Sequence, residues 1–101
     1  MSNSQKIYAI TFDLDIELLQ QLYNGNVCDA HNQIKLFFEK EGFYRYYGNV
    51  FFGNESINAV NCVVAVTKIT KQFCWFSICV KDIRMLRIEE INDLYPAMFI
   101  V

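Results

Sequence analysis

The sequence predicts an α+β fold, and three observations predict it. Residues 7–14 alternate with the two-residue period of a strand, residues 27–41 repeat apolar side chains at helical spacing, and the aromatic run 43–53 breaks at Gly48-Asn49. With a second helix and a last strand further along, the order reads β-α-β-β-α-β. That order is the split βαβ arrangement of a ferredoxin-like fold: a four-stranded antiparallel sheet with two helices on one face. The 101 residues form a single domain with its core at about 6–96.

Lys6 to Asp15 opens the fold as a strand. Tyr8, Ile10 and Phe12 point one way, and Ile7, Ala9, Thr11 and Asp13 the other. The first face is large and apolar, suited to a core; the second is small and ends in an acid. Ile16 to Asn26 reads as a loop with a short helical turn, broken by Asn24-Gly25-Asn26. In Val27 to Glu41, Val27, Ala30, Ile34, Phe37 and Phe38 fall on one stripe, and Gly42 suits the position just past a helix end. Phe43–Tyr47 and Val50–Gly53 form a hairpin around Gly48-Asn49. A second helix begins at Asn54-Glu55-Ser56 and runs to about Lys71. Its buried candidates are Ile57, Val60, Val64 and Ile69, with Cys62, Val63 and Val66 adding apolar width. Phe73 to Cys79 reads as an apolar connection anchored by Trp75, and Val80 to Glu89 as the last strand. Pro96 ends whatever turn precedes it.

Apolar residues make up 53% of the chain and aromatics 16%, against a usual apolar share of about 45–50%. A domain of this size buries roughly two-thirds of its unfolded surface. The apolar excess, with helices on one sheet face only, predicts a homodimer in which a second copy covers the other face. A net charge of −2 and a pI near 5.2 exclude a nonspecific nucleic-acid coat, but leave room for a local basic patch on an RNA-processing enzyme. The polar start, Met1 to Lys6, lacks the apolar segment of a secretory signal. No apolar run approaches the ~20 residues of a membrane helix. The expected compartment is the cytoplasm, with no membrane partner and with Cys28, Cys62, Cys74 and Cys79 as reduced thiols. They include no C-x-x-C pair and have only His31 beside them, a poor zinc set.

A carboxylate at a strand end, as Asp13 is, serves as a metal ligand, a general base or a helix cap. Asp15 reads as a solvated turn acid. Tyr8-Ala9-Ile10-Thr11-Phe12-Asp13-Leu14 opens the chain and Val80-Lys81-Asp82-Ile83-Arg84-Met85-Leu86-Arg87-Ile88-Glu89 closes the fold. Between them lie Glu41-Gly42-Phe43-Tyr44-Arg45 and the Gly48-Asn49 turn. In order and spacing this set resembles the virulence-associated protein D (VapD) family of bacteria, whose members are similar to the Cas2 proteins of CRISPR systems. The likeness covers most of residues 6–96. It implies a ferredoxin-like homodimer and an endoribonuclease, an mRNA-interferase-like toxin restrained by a small antitoxin protein. It also implies a catalytic role for the acid at Asp13. At the hairpin the chain departs from the family, whose Gln-Gly-Ser reads Tyr47-Gly48-Asn49, so that Asn49 stands where the family's hydroxyl would position RNA. The alternative is a catalytically inactive, Cas2-like dimeric scaffold that binds nucleic acid or a protein partner.

In a dimer of that kind the helix-free faces meet and the two Asp13 carboxylates approach across the two-fold axis, past the small Ala9 and Thr11. Two carboxylates ~4 Å apart repel by roughly 1–4 kcal/mol at effective dielectrics of 80 to 20. A shared Mg²⁺ with Asp13 as ligand relieves the repulsion, and so does a shared proton. The first arrangement orients a nucleophile at the scissile phosphate; the second does acid–base work on the ribose 2′-hydroxyl. Arg45, Lys81, Arg84 and Arg87 are the cations expected on RNA phosphates, and an arginine fork can bond two phosphate oxygens. Strict alternation sets Lys81 and Arg87 on the face of Ile83 and Met85, and Arg84 with Asp82 on the other. Either one set lies at the sheet edge or a bulge breaks the alternation. Asp82–Arg84 equally fits an inter-subunit ion pair. Tyr44, Tyr46, Tyr47, Phe51 and Phe52 either stack on unpaired bases or fill an interface, with packing preferred. His31 reads as a helix surface residue rather than a catalytic base.

Overall fold

β1 (Ile7–Leu14) is the inner strand on which the sheet is built, because both of its edges are paired. β3 (Val50–Gly53) lies on one side and β4 (Val80–Ile88) on the other, each antiparallel to it. β2 (Phe43–Tyr47) joins β3 through the hairpin, giving the order β2-β3-β1-β4. β3 thus separates the parallel β1 and β2, as a split βαβ fold requires. The computed structural model describes residues 6–99, and the polar start Met1–Gln5 lies outside them.

α2 (Val27–Lys40) and α3 (Ala59–Gln72) pack on one face of the sheet. The expected core face of β1 is the observed one: Ile10 and Phe12 are buried. The Phe12 ring lies parallel to Phe51 at 5.9 Å and meets Phe76 edge-on at 5.7 Å, with Phe38 6.1 Å away. Fully burying one such side chain is worth about 1.5–3 kcal/mol, so this aromatic cluster contributes strongly to the cohesion of the two layers. Cys62 and Cys79 fill gaps in the same core. Burial pushes both thiols up from their ordinary range, and the charge of Asp15 adds to the effect at Cys79.

Several elements differ from expectation. The segment after β1 is a seven-residue helix, α1 (Ile16–Leu22), rather than a loop with one turn. Asp15 caps it, its Oδ1 accepting from the Leu18 amide at 3.1 Å, and Leu19 anchors it in the core. The connection before β4 contains a one-turn helix, α4 (Phe76–Cys79), held by two buried side chains. α3 begins later than Asn54. The Asn54 side chain accepts from both the amide and the hydroxyl of Ser56, a local turn that competes with helix. The cap is Asn58, in a reciprocal capping box with Asn61. Starting there, α3 buries Cys62, Ala65 and Ile69. Val60, Val63 and Val64 are exposed, against expectation, while Ile57 is buried ahead of the helix. Pro96 sits in the first turn of a 3-10 helix (Tyr95–Phe99) rather than ending one.

The second sheet face carries no helix. Ile7, Thr11 and Asp13 of β1, Phe52 of β3 and Leu86 of β4 lie on it, together with Tyr44 of β2. Ala9 faces the same way yet is fully buried, flanked by its larger register partners Phe52 and Leu86. Tyr46 stacks on Phe52 at 4.4 Å, so part of the aromatic excess covers this face within one chain. Among the described residues no helix is long and apolar enough to cross a membrane.

Candidate active site

Three backbone features fix Asp13. On one side the amide of Phe12 donates to the Asn49 carbonyl at 3.2 Å, which brings the Gly48-Asn49 turn alongside the end of β1. The turn itself is possible because Gly48 adopts φ +54°, a left-handed conformation that glycine takes without strain. Beyond the strand, the Asp15 amide donates to the Cys79 carbonyl at 2.8 Å and ties the chain to the start of β4. Between these anchors the Asp13 carboxylate faces solvent from the helix-free face, two-thirds exposed.

Opposite it in register stands Asp82 of β4. Cβ atoms of directly opposed residues lie about 4.5–5.5 Å apart, and like charges there are unfavourable. Two cations offset that. The ladder shifts register after Asp13, and Lys81 reaches across with its Nζ 3.9 Å from Asp13 Oδ2. Arg84 Nε lies 3.1 Å from both carboxylate oxygens of Asp82. The bulge therefore resolves the alternation in β4 by releasing Lys81 from the face of Ile83. All four side chains are exposed, so each pair contributes only about 0–1 kcal/mol and exchanges readily for an incoming anion.

The structure gathers Asp13, Lys81 and Arg84 at one end of the sheet, with Asn49 beside them. Arg45 lies at the same end but on the helix side, opposite Phe51, with its Nε donating to the Gly48 carbonyl at 2.8 Å. Arg87 is not brought to the site: it pairs with Tyr8 at the far end of β4 and on the helix face. Asp15 is committed to capping α1, which removes that role from Asp13. In the sequence Asp82 stands out only as a partner for Arg84. Its register with Asp13 depends on β4 pairing with β1, and no local spacing reports that.

Among the described residues no three His, Cys, Asp or Glu side chains cluster as a complete protein-made metal cage. Two hard carboxylates on an open face nevertheless suit Mg²⁺, which takes one or two of them and fills its remaining positions with water and phosphate oxygens. The donor set fits that ion.

Fold and site together define a small α+β protein with an open antiparallel sheet and a charge-balanced acid pair on its uncovered face. No family model matches the chain. It is 50% identical over 95 residues to Endoribonuclease VapD 2 of Riemerella anatipestifer, covering 91% of this chain and 99% of that one. It is 49% identical over 96 residues to an endoribonuclease VapD homolog of Helicobacter pylori, covering 94% and 99%. Endoribonuclease VapD of Dichelobacter nodosus is 31% identical over 87 residues, covering 86% of this chain and 91% of that one. The chain belongs to the VapD family.

Proposed function

We propose that this chain is an endoribonuclease that cleaves RNA phosphodiester bonds as a homodimer, with Asp13 as its catalytic carboxylate. The observation that carries the reading is the cross-strand register of Asp13 and Asp82 on the uncovered face, in a chain half of whose aligned residues match a relative named an endoribonuclease. Asp13 takes the proton of the ribose 2′-hydroxyl, or acts with Asp82 as a ligand to Mg²⁺. A bound Mg²⁺ supplies charge neutralisation at the scissile phosphate. Lys81 and Arg84 exchange their weak carboxylate partners for phosphate oxygens as RNA arrives, leaving both acids free to work. Asn49, in the turn alongside, positions the strand, and Arg45 contacts it further out.

The homodimer covers the helix-free face with a second copy, and the exposed Tyr44 and Leu86 support this by giving that face apolar area to bury. The toxin role and the small antitoxin protein rest on the family likeness. The test is direct. Purified protein is incubated with a single-stranded RNA labelled at its 5′ end, with Mg²⁺ and with EDTA, alongside DNA of the same sequence. Internal cleavage of RNA alone is expected, and intact RNA under both conditions would contradict the reading. Cleavage that survives EDTA assigns the acid–base form; loss in EDTA assigns the Mg²⁺ form.

A further inference from the structure

A second concavity lies on the other side of the Gly48-Asn49 turn from Asp13. It is a cleft of about 540 Å³ between α2 and the β2–β3 hairpin. His31 and Lys35 line one wall, one helical turn apart on α2; Arg45 and Asn49 line the other; Ile34 and Phe51 form its floor. Among the described residues no carboxylate lines it. In a chain of net charge −2, it is a local cationic foothold for phosphate.

The side chains are set for an anionic, hydrogen-bonding ligand. Arg45 spends only Nε on the Gly48 carbonyl, which fixes the guanidinium and leaves its terminal nitrogens for a phosphate. Among the described residues Lys35 has one loose ion partner, Glu39, at 3.9 Å one turn further along the helix. The Nδ1 of His31 lies 3.1 Å from the Val27 carbonyl. A carbonyl only accepts, so Nδ1 donates to it, which fixes the ring and leaves Nε2 to meet a ribose or base. The volume falls within the ~300–1,000 Å³ of small-ligand sites.

We propose that this cleft is a nucleotide subsite for single-stranded RNA, with Lys35 and Arg45 on a phosphate and His31 on the ribose or base. It rests on the reading of the chain as an RNA-cleaving enzyme and extends it. The strand enters the cleft, crosses the turn at Asn49 and presents its next phosphate to Asp13. Asn49 belongs to both places: its side of the turn lines the cleft, and its carbonyl holds the end of β1.

The test uses a short 2′-O-methyl RNA in EDTA, which reports binding without cleavage. In the wild type, the backbone amides of His31, Lys35 and Gly48 are expected to shift in two-dimensional NMR spectra as probe is added. Lys35→Gln and His31→Gln, both at partly exposed helix positions, are expected to keep the melting temperature. Lys35→Gln should weaken binding about three- to tenfold in 0.1 M salt and lower the steepness of the log–log salt dependence by about 0.7. Amide shifts confined to the Asp13 end, or variants that bind as the wild type does, would overturn the subsite. So would cleft amides that respond to a polyglutamate peptide and not to RNA. If the wild type cleaves no RNA yet the cleft binds the probe with these effects, the subsite stands and the catalytic reading falls. If the wild type cleaves and Lys35→Gln alters neither binding nor KM, the subsite falls and the catalytic reading stands.

Discussion

Asp13 and Asp15 are two residues apart and have opposite fates. The chain leaves β1 between them, so Asp15 turns toward the first amides of α1 while Asp13 stays on the sheet face. Removing the cap tests that division of labour. Asp15→Ala should cost about 1 kcal/mol in urea unfolding, the usual penalty for losing a side-chain N-cap. It should leave the register of β1 and β4, and hence the Asp13–Asp82 opposition, in place. An unchanged unfolding midpoint would show that the Asp15 contact contributes nothing to the fold. Asp13 was legible in the sequence because a period-two run ended in an acid over small side chains. Asp82 was not, because its role comes from a strand pairing between the two ends of the fold. His31 was read from its immediate neighbours, and its cleft is made by a hairpin that follows it in the chain.

At the scale of elements, β2, β3 and α2 were legible almost to the residue, since each combines a clear period with turn chemistry at its ends. α3 was not. Its residues are apolar on nearly every side, so periodicity alone could not choose the buried face, and the sheet chose Cys62, Ala65 and Ile69. Ile57 explains part of that choice. It packs so closely over Gly53 that a Cβ placed there would lie 2.6 Å from Ile57 Cγ2 and 2.7 Å from its Cβ. Gly53→Ala should therefore overpack the junction of β3 with the segment leading to α3, and lower stability by about 1–3 kcal/mol. Guanidinium unfolding measures it. A variant as stable as the wild type would mean that this junction yields freely. The bulge after Asp13 belongs to this scale too: one extra residue in β4 decides that Lys81 meets an acid.

For the whole molecule, the radius of gyration is 15.7 Å, against about 13 Å for a globular domain of this length. The excess comes with a stretch after β4 in which Ile91, Leu94, Tyr95, Met98 and Phe99 are all exposed. Together with the helix-free face, this leaves one copy with more apolar surface than a small monomer ordinarily shows. Sedimentation velocity at micromolar concentration should give a species of about 24 kDa, twice the 11.9 kDa chain. A single species at the monomer mass would remove the paired-subunit arrangement. Topology at this scale was legible from element order alone, whereas the projecting C-terminal stretch carries too little periodicity to place.

The most direct measurement is the single-turnover rate of RNA cleavage by Asp13→Asn beside the wild type. Asparagine keeps the size of the side chain and removes its charge and basicity, so the melting temperature of the variant should match or slightly exceed that of the wild type, with the Asp82 repulsion relieved. The rate should fall by at least about a hundredfold, the scale of a lost acid–base group. A folded Asp13→Asn protein that cleaves as fast as the wild type would place the chemistry elsewhere.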